Sequence, residues 1–119
     1  MTKKKVLIID DNKLICLNLE KKFTSMGFTA LCANTGREAL KKIRCNAFDL
    51  IFLDIHLPDA NGLNLLGEIR ESSPNTKVIV MSADINEEYR EQATRLGASN
   101  VIDKPFSLLE VEDFVLFQE

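Results

Sequence analysis

The sequence has few of the features that mark membrane or nucleic-acid-binding proteins. It contains neither a signal peptide nor an apolar run long enough to span a membrane. Basic residues do not outnumber acidic ones: there are 15 Lys and Arg against 18 Asp and Glu, for a net charge of −3. The only basic run, at residues 3–5, directly precedes a predicted strand. Such a run is more typical of a solvated start of a strand than of an arm that binds nucleic acid. We therefore expect a cytoplasmic domain that does not bind nucleic acid directly.

Cysteine is also sparse, with an odd number of residues and no spacing typical of a metal site. Cys16 falls in the first predicted helix, Cys32 in the second strand and Cys45 near a helix end. We expect all three to be reduced and mostly buried, because a cytosolic setting disfavours disulfides. A redox role is disfavoured, since the sequence indicates nothing nearby that would lower a thiol pKa.

What the sequence does have is a nearly unbroken apolar run, Phe48 to Leu53, that ends in the carboxylate of Asp54. A run with so few polar positions predicts a central strand of a parallel sheet that is covered on both faces. In open α/β sheets, ligands bind just outside the carboxyl ends of the strands. Asp54 is therefore a candidate for a chemical role.

The whole chain alternates strands and helices, with short connections and no internal linker. The predicted strands are 4–9, 28–33, 48–54, 77–81 and 99–102, and the predicted helices begin near residues 12, 35, 63, 86 and 107. Five such units predict a single α/β domain over residues 1–119. We expect a flavodoxin-like parallel sheet of order 2-1-3-4-5 with helices on both faces.

Five polar side chains follow strands whose carboxyl ends meet at one edge of this sheet. They are Asp10, Asp11, Asp54, Ser82 and Lys104. Three neighbouring carboxylates repel one another unless a cation joins them, and oxygen ligands without His or Cys suit Mg²⁺. An ammonium and a hydroxyl can neutralise a phosphoryl group that a carboxylate nucleophile has accepted. Each residue alone is commonly a cap, a turn or a solvated side chain, but together they predict a site with Asp54 as nucleophile.

Four motifs in order resemble the receiver domain of bacterial two-component response regulators, including the chemotaxis-type single-domain regulators. They are Ile9-Asp10-Asp11, then Leu53-Asp54-Ile55-His56-Leu57-Pro58 with Gly62 beyond, then Met81-Ser82-Ala83, and Asp103-Lys104-Pro105-Phe106. Each motif is weak alone, but four at this spacing are specific, and the resemblance covers essentially the whole chain.

The resemblance implies a role for each matching residue. Asp54 would be the phosphoacceptor, and Asp10, Asp11 and Asp54 would hold Mg²⁺ together with the main-chain carbonyl of His56. Ser82 and Lys104 would bind the phosphoryl group.

Two further positions follow from the same resemblance. Ala83 would keep the phosphoryl site accessible, and the Lys104-Pro105 peptide bond would be cis. The phosphoryl donor would be a sensor histidine kinase or a phosphotransfer protein, and the output would pass to an effector protein or an attached domain. Such a domain is a phosphorelay acceptor rather than an enzyme. It would switch its interaction surface around helix four, strand five and helix five by a population shift.

Two positions depart from the family pattern. Val101 stands where the family usually has Tyr or Phe, so no large ring is available to act as an aromatic switch. His56 occupies the variable position two residues after Asp54. We expect its main chain to serve the site, while a sharper hypothesis gives its imidazole control over water access and phosphoryl lifetime.

Three other functions remain to be compared with the sequence. A haloacid-dehalogenase-like phosphatase would need a second Asp where His56 stands, and a nucleotide-binding flavodoxin would need a Gly-rich loop after the first strand. A phosphorylation-independent receiver-like interaction module gains some weight from Val101. The apolar last helix, which carries Val111 and Phe114 to Phe117, leaves open a partner, a homodimer or a continuation of the chain.

Overall fold

The computed structural model describes residues 4–83 and 86–117, with side chains through residue 115. Its strands are β1 (Lys5–Ile9), β2 (Thr29–Ala33), β3 (Leu50–Asp54), β4 (Lys77–Ser82) and β5 (Asn100–Asp103). Its helices are α1 (Lys13–Ser25), α2 (Gly36–Cys45), α3 (Gly62–Ser72), α4 (Glu87–Arg95) and α5 (Leu108–Phe117). The predicted alternation of strands and helices is confirmed.

All the strands pair in parallel, in the order β2-β1-β3-β4-β5. This is the predicted sheet, and it makes β1 and β3 neighbours with Ile9 paired to Leu53. On the other side of β3, Asp54 pairs with Met81, the residue before Ser82. The carboxyl ends of β1, β3 and β4 therefore meet at one edge.

The central strand is buried along its whole length, as the apolar run predicts. Its alternate side chains enter two separate clusters, one on each face of the sheet. Ile51 and Leu53 pack with α2 and α3 residues such as Leu66, while Phe52 packs with α1 residues such as Phe23. Asp54 thus sits at the end of a strand that apolar packing fixes from both sides.

Polar caps start the helices where the sequence predicts them. Asn12 and Asn61 each accept main-chain hydrogen bonds from the first turn of α1 and α3. Ser107 and Glu110 form the expected reciprocal capping box before α5. Gly27 adopts a positive φ of 91° just after α1, a conformation that costs glycine little.

Several boundaries differ from the prediction by one or two residues. β3 begins at Leu50 rather than Phe48, because Asp49 instead uses its side chain and amide to bind the main chain of Lys5. The expectation that the cysteines are mostly buried is wrong for Cys45, which is exposed at the end of α2. Within the described residues, no helix is both long and apolar enough to cross a membrane.

The last helix only partly supports the idea of an unpartnered apolar surface. Val111 is fully buried, and Phe114 and Val115 pack against the cluster that contains Phe23. These residues therefore serve the domain's own core. The side chains of the last two predicted apolar positions, 116 and 117, lie outside the described part of the chain.

Candidate functional site at the carboxyl edge of the sheet

Three carboxylates converge where β1 and β3 end. Asp10 is fully buried, Asp54 is 4% exposed and Asp11 is exposed. One oxygen from each lies within 4.8 Å of the others. The predicted acidic cluster is therefore present, with two members fixed in the protein and one facing solvent.

Lys104 directly follows the edge strand β5 and reaches this cluster past the end of β4. Its Nζ donates to Asp10 Oδ2 at 2.7 Å and to Asp54 Oδ2 at 2.9 Å. The main-chain N–H of Lys104 donates to the carbonyl oxygen of Ser82 at 2.9 Å, which ties the end of β5 to the end of β4. The Lys104-Pro105 peptide bond that follows is cis, as the resemblance implied.

Burial and charge compete at this site. Burial is the largest influence on Asp10 and raises its pKa, and the neighbouring charge of Asp54 acts in the same direction. Burial alone would lower the pKa of Lys104, but its hydrogen bonds to Asp10 and Asp54 outweigh that effect, so the pKa is raised. Lys104 is thus held as an ammonium, and this one positive charge bonds to two carboxylates, Asp10 and Asp54.

Main-chain amides orient both buried carboxylates. The N–H of Asn12 donates to Asp10 Oδ1 at 2.9 Å, and the N–H of His56 donates to Asp54 Oδ1 at 3.0 Å. Each carboxylate therefore has one oxygen on an amide and the other on Lys104. Such fixed donors hold the oxygens in place before any ligand arrives.

The loop from Ile55 to Asn61 is closed tightly on itself. The Gly62 N–H donates to the carbonyl oxygen of Ile55 at 3.0 Å, and His56 forms a bridge with Asn61. A Cβ at Gly62 would lie only 2.3 Å from the Cα of Ile55. Glycine is needed here for close approach of two main chains, which sets the position of His56.

Ser82 is the last residue of β4 and is fully buried. Its Oγ lies 3.4 Å from Nε2 of His56, at the long end of hydrogen-bonding distance. The ring of His56 therefore reaches the Ser82 hydroxyl. That its main chain serves the site stays a prediction. Ala83, which follows, is exposed.

Two further residues support the site, and neither is a charged residue at a strand end, so the sequence pattern does not identify them. Asn34, just after β2, donates from Nδ2 to the main-chain oxygen of Asp10 at 2.9 Å. Asp59 accepts from the N–H groups of Gly36 and Arg37 at 2.8 and 3.1 Å, and these bonds lower its pKa. Asp59 thereby attaches the loop containing His56 to the start of α2.

Val101 lies in β5 and is half-buried against the cluster that contains Leu66. Its carbonyl oxygen accepts a hydrogen bond from Arg90 Nη1 of α4 at 3.2 Å. The side chain of Val101 is part of the domain's packing, and the hydrogen bond between β5 and α4 at this position joins the Arg90 side chain to the Val101 main chain.

The donor chemistry fits a hard divalent cation. The cluster offers carboxylate oxygens from Asp10, Asp11 and Asp54, one of them on the solvent side, where a hydrated ion can enter. The pKa of Asp10 is raised chiefly by burial and in part by the charge of Asp54, and a cation bound beside it would favour the charged carboxylate.

Comparison with known proteins agrees with this geometry. The family model for the response regulator receiver domain matches residues 6–115. The chain belongs to that family. Its members are the phosphoacceptor modules of two-component signal transduction.

Individual relatives place the receiver domain in proteins of different size. The chain is 36% identical to the chemotaxis protein CheY of Thermotoga maritima over 87% of each chain. It is also 36% identical to the regulatory protein AtoC of Escherichia coli over 90% of this chain, but it spans only 23% of AtoC. A solved response regulator from Burkholderia pseudomallei, with a phosphorylated aspartic acid and a calcium ion, shares 27% identity and a TM-score of 0.88. That match covers 93% of this chain and 65% of the other.

Proposed function

We propose that Asp54 accepts a phosphoryl group from the phosphohistidine of a sensor histidine kinase or a phosphotransfer protein. A carboxylate oxygen of Asp54 bonds to phosphorus while the phosphorus–nitrogen bond breaks, and the electron pair leaves with the imidazole nitrogen. The observation that carries the proposal is the position of Asp54, buried at the end of the central strand with Asp10, Asp11 and Lys104 around it.

The residues around Asp54 suit the charge of a transferred phosphoryl group. Asp10, Asp11, Asp54 and the main-chain carbonyl of His56 would hold Mg²⁺, which when bound would neutralise phosphoryl oxygens. Lys104 already touches Asp54 and supplies a point charge for one phosphoryl oxygen. Ser82 carries a hydroxyl that can donate to another.

Switching would follow from movement of Ser82 toward the phosphoryl group. The main-chain oxygen of Ser82 accepts a hydrogen bond from the N–H of Lys104, and the Arg90 side chain of α4 donates a hydrogen bond to the main chain of β5. A shift at the site can therefore reach the surface of α4, β5 and α5. Because Val101 has no large ring, this route would run through the Val101 main chain and the Arg90 side chain rather than through an aromatic rotamer.

The domain would act on partners rather than turn over an external substrate. We propose residues 1–119 as one cytoplasmic receiver domain, and a sensor kinase as its input. The output would be either a separate effector protein, as the near-equal length of CheY suggests, or an attached domain, as the greater length of AtoC suggests. A homodimer through α4, β5 and α5 is a further form that the output could take.

The test is phosphorylation by a small donor. The protein is incubated with acetyl phosphate and Mg²⁺ and weighed as an intact chain, beside Asp54→Ala and a sample with EDTA. A single phosphoryl adduct that requires both Asp54 and the metal is the expected result.

Failure would separate the alternatives. A chain that takes no phosphoryl group from acetyl phosphate or from a phosphorylated sensor kinase would contradict the proposal and favour a phosphorylation-independent interaction module. Repeated turnover of a phosphate monoester such as p-nitrophenyl phosphate would instead indicate a phosphatase.

A further inference from the structure

An apolar groove opens beside the acidic cluster, between α1 and the first turn of α5. It encloses about 390 Å³, a volume that can hold a small organic ligand. Apolar side chains line it from both sides, and they are Ile15, Leu19, Pro105, Phe106 and Leu108. The groove is therefore a lined depression rather than a single exposed side chain.

One end of the groove is continuous with the site around Asp54. Lys104 lines the groove, and its Nζ donates to Asp54 Oδ2 at 2.9 Å. Ala83 also lines it and directly follows Ser82, the hydroxyl residue of the site. A molecule in this groove therefore lies against two residues that border the proposed phosphoryl position.

The core of the domain holds most of the groove walls in place. Leu19 is buried, and Ile15 and Phe106 are half-buried against the cluster that contains Phe23. Leu108, by contrast, is 42% exposed and packs with neither core cluster, so its apolar surface is free to contact a ligand. Because these walls exist before any ligand arrives, binding orders little of the chain.

We propose that the groove binds the apolar tail of a small phosphoryl donor, so that the protein prefers acyl phosphates with a longer chain, such as butyryl phosphate, over acetyl phosphate. This inference rests on the proposed function of Asp54. A carboxylate oxygen of Asp54 bonds to phosphorus, the bond between phosphorus and the acyl oxygen breaks, and the electron pair leaves on the released carboxylate. No other co-reactant is consumed.

An acyl phosphate matches both ends of the groove. Its phosphoryl oxygens are anionic and suit the ammonium of Lys104, whereas its acyl chain is apolar and suits Ile15 and Leu108. In an in-line displacement the acyl oxygen lies on the opposite side of phosphorus from Asp54, so the chain extends out of the site and can turn into the groove. Acetyl phosphate has only a methyl group there and is too short to fill the groove.

The length of the acyl chain sets the size of the preference. One buried methylene group contributes a factor of about four to binding. Butyryl phosphate has a chain longer by a pair of methylene groups, and the groove is open to solvent on one side, so its second-order rate constant should be roughly three- to tenfold higher. The two donors release carboxylic acids of similar acidity, so their intrinsic reactivity toward Asp54 is nearly equal.

The experiment compares the two donors on the whole chain. Adduct formation at Asp54 is followed by intact mass in the presence of Mg²⁺, and the ratio of the butyryl to the acetyl rate constant is determined. Leu108→Ala removes the exposed wall of the groove and should reduce this ratio by a factor of about two or more. Leu109→Ala is the matched control, because Leu109 is the next residue, is 66% exposed and lies outside the groove. Its ratio should equal that of the unsubstituted protein.

The other outcomes all decide against the inference. A ratio of one or less would overturn it, and so would a ratio that Leu108→Ala leaves unchanged. If Leu108→Ala slows transfer only from a phosphorylated sensor kinase, the groove serves a protein partner instead. An adduct with acetyl phosphate but no preference for butyryl phosphate leaves the proposed function intact. No adduct from either acyl phosphate would overturn this inference, and transfer from the kinase then decides whether the proposed function also fails.

Discussion

The Nζ of Lys104 lies 2.9 Å from a carboxylate oxygen of Asp54, although 50 residues separate them in the chain. The same ammonium contacts Asp10 at 2.7 Å. Lys104 therefore neutralises part of the charge that a metal ion would otherwise neutralise. Under the proposed function, the ammonium and a bound metal ion would act partly in competition before phosphorylation and together after it.

This competition gives Lys104→Met two opposite effects. Without the ammonium, the carboxylates are less neutralised, so the variant should bind Mg²⁺ more tightly than the unsubstituted protein. It should nevertheless form the phosphoryl adduct about 100-fold more slowly, the typical loss when one stabilising donor is removed. Lys104→Arg keeps the charge and should show a smaller change in Mg²⁺ Kd. Metal titration and stopped-flow adduct formation measure the two effects, and weaker Mg²⁺ binding in Lys104→Met would contradict this account.

Asp10 should reduce the stability of the metal-free protein at neutral pH. Its pKa in the folded state is raised above the ordinary value of 3.8, mainly by burial. The folded state thus holds this proton more tightly than the unfolded chain does. Protonated Asp10 therefore stabilises the folded state at pH values below the ordinary pKa. This contribution to the free energy of unfolding is lost as the pH rises through the raised pKa.

Asp10→Asn removes that pH-dependent loss. In metal-free buffer at pH 7, the variant should unfold at a higher urea concentration than the unsubstituted protein, and the gap should narrow as pH falls toward the ordinary carboxyl pKa. Asp103→Asn, at an exposed position on the same edge, is the control and should unfold at nearly the same urea concentration as the unsubstituted protein at pH 7. A gap for Asp10→Asn that widens on acidification would reverse the assigned sign.

Gly62 and Gly67 form a matched pair within α3. A Cβ at Gly62 would lie 2.4 Å from the carbonyl oxygen of Ile55, whereas one at Gly67 meets nothing within 4 Å. Gly62→Ala should therefore lower the free energy of unfolding by about 1–3 kcal/mol. It should also weaken Mg²⁺ binding, because the loop that positions His56 must open.

Gly67→Ala should have the opposite effect on stability. Alanine loses less conformational entropy in a helix interior, so this variant should gain about 0.5–1 kcal/mol. Its Mg²⁺ affinity should not change. Urea unfolding and metal titration of both variants test the pair, and equal stability would show that the close approach at Gly62 is unimportant.

The main chain and the ring of His56 should have separable effects. The proposed metal ligand is the main-chain carbonyl, so His56→Asn should leave the Mg²⁺ Kd within about twofold. The ring lies beside the Ser82 hydroxyl at the mouth of the site, and a smaller side chain should admit water and shorten the phosphoryl lifetime. The measurement is the decay of the adduct after the donor is removed. An unchanged decay rate would remove the ring from the mechanism.

The fold and the charged members of the site could be predicted because each depends on local pattern plus a general rule. The apolar run before Asp54 predicts a central strand, and parallel strands bring their carboxyl ends to one edge. Asp10, Asp11, Asp54 and Lys104 then follow from position alone. Their cluster and its ammonium are where that reasoning places them.

The rest depends on side-chain direction across the fold, which no local pattern contains. Asn34 has an ordinary identity for a strand end, and only the tertiary structure shows that it reaches Asp10. The same is true of the contact between the Sγ of Cys32 and the main-chain oxygen of Cys16, because the angle between α1 and β2 decides which residues face each other. The ring of His56 reaches Ser82 only because β3 and β4 are neighbours.

The most direct test of the central claim is to locate the phosphoryl group. The phosphorylated protein is reduced with borohydride, which converts an aspartyl phosphate to homoserine, and the peptides are then sequenced by mass spectrometry. The account predicts homoserine at position 54 alone, and none when Mg²⁺ is withheld. Homoserine at Asp10 or Asp11, or equal labelling of Asp54 and the exposed Asp103, would contradict it.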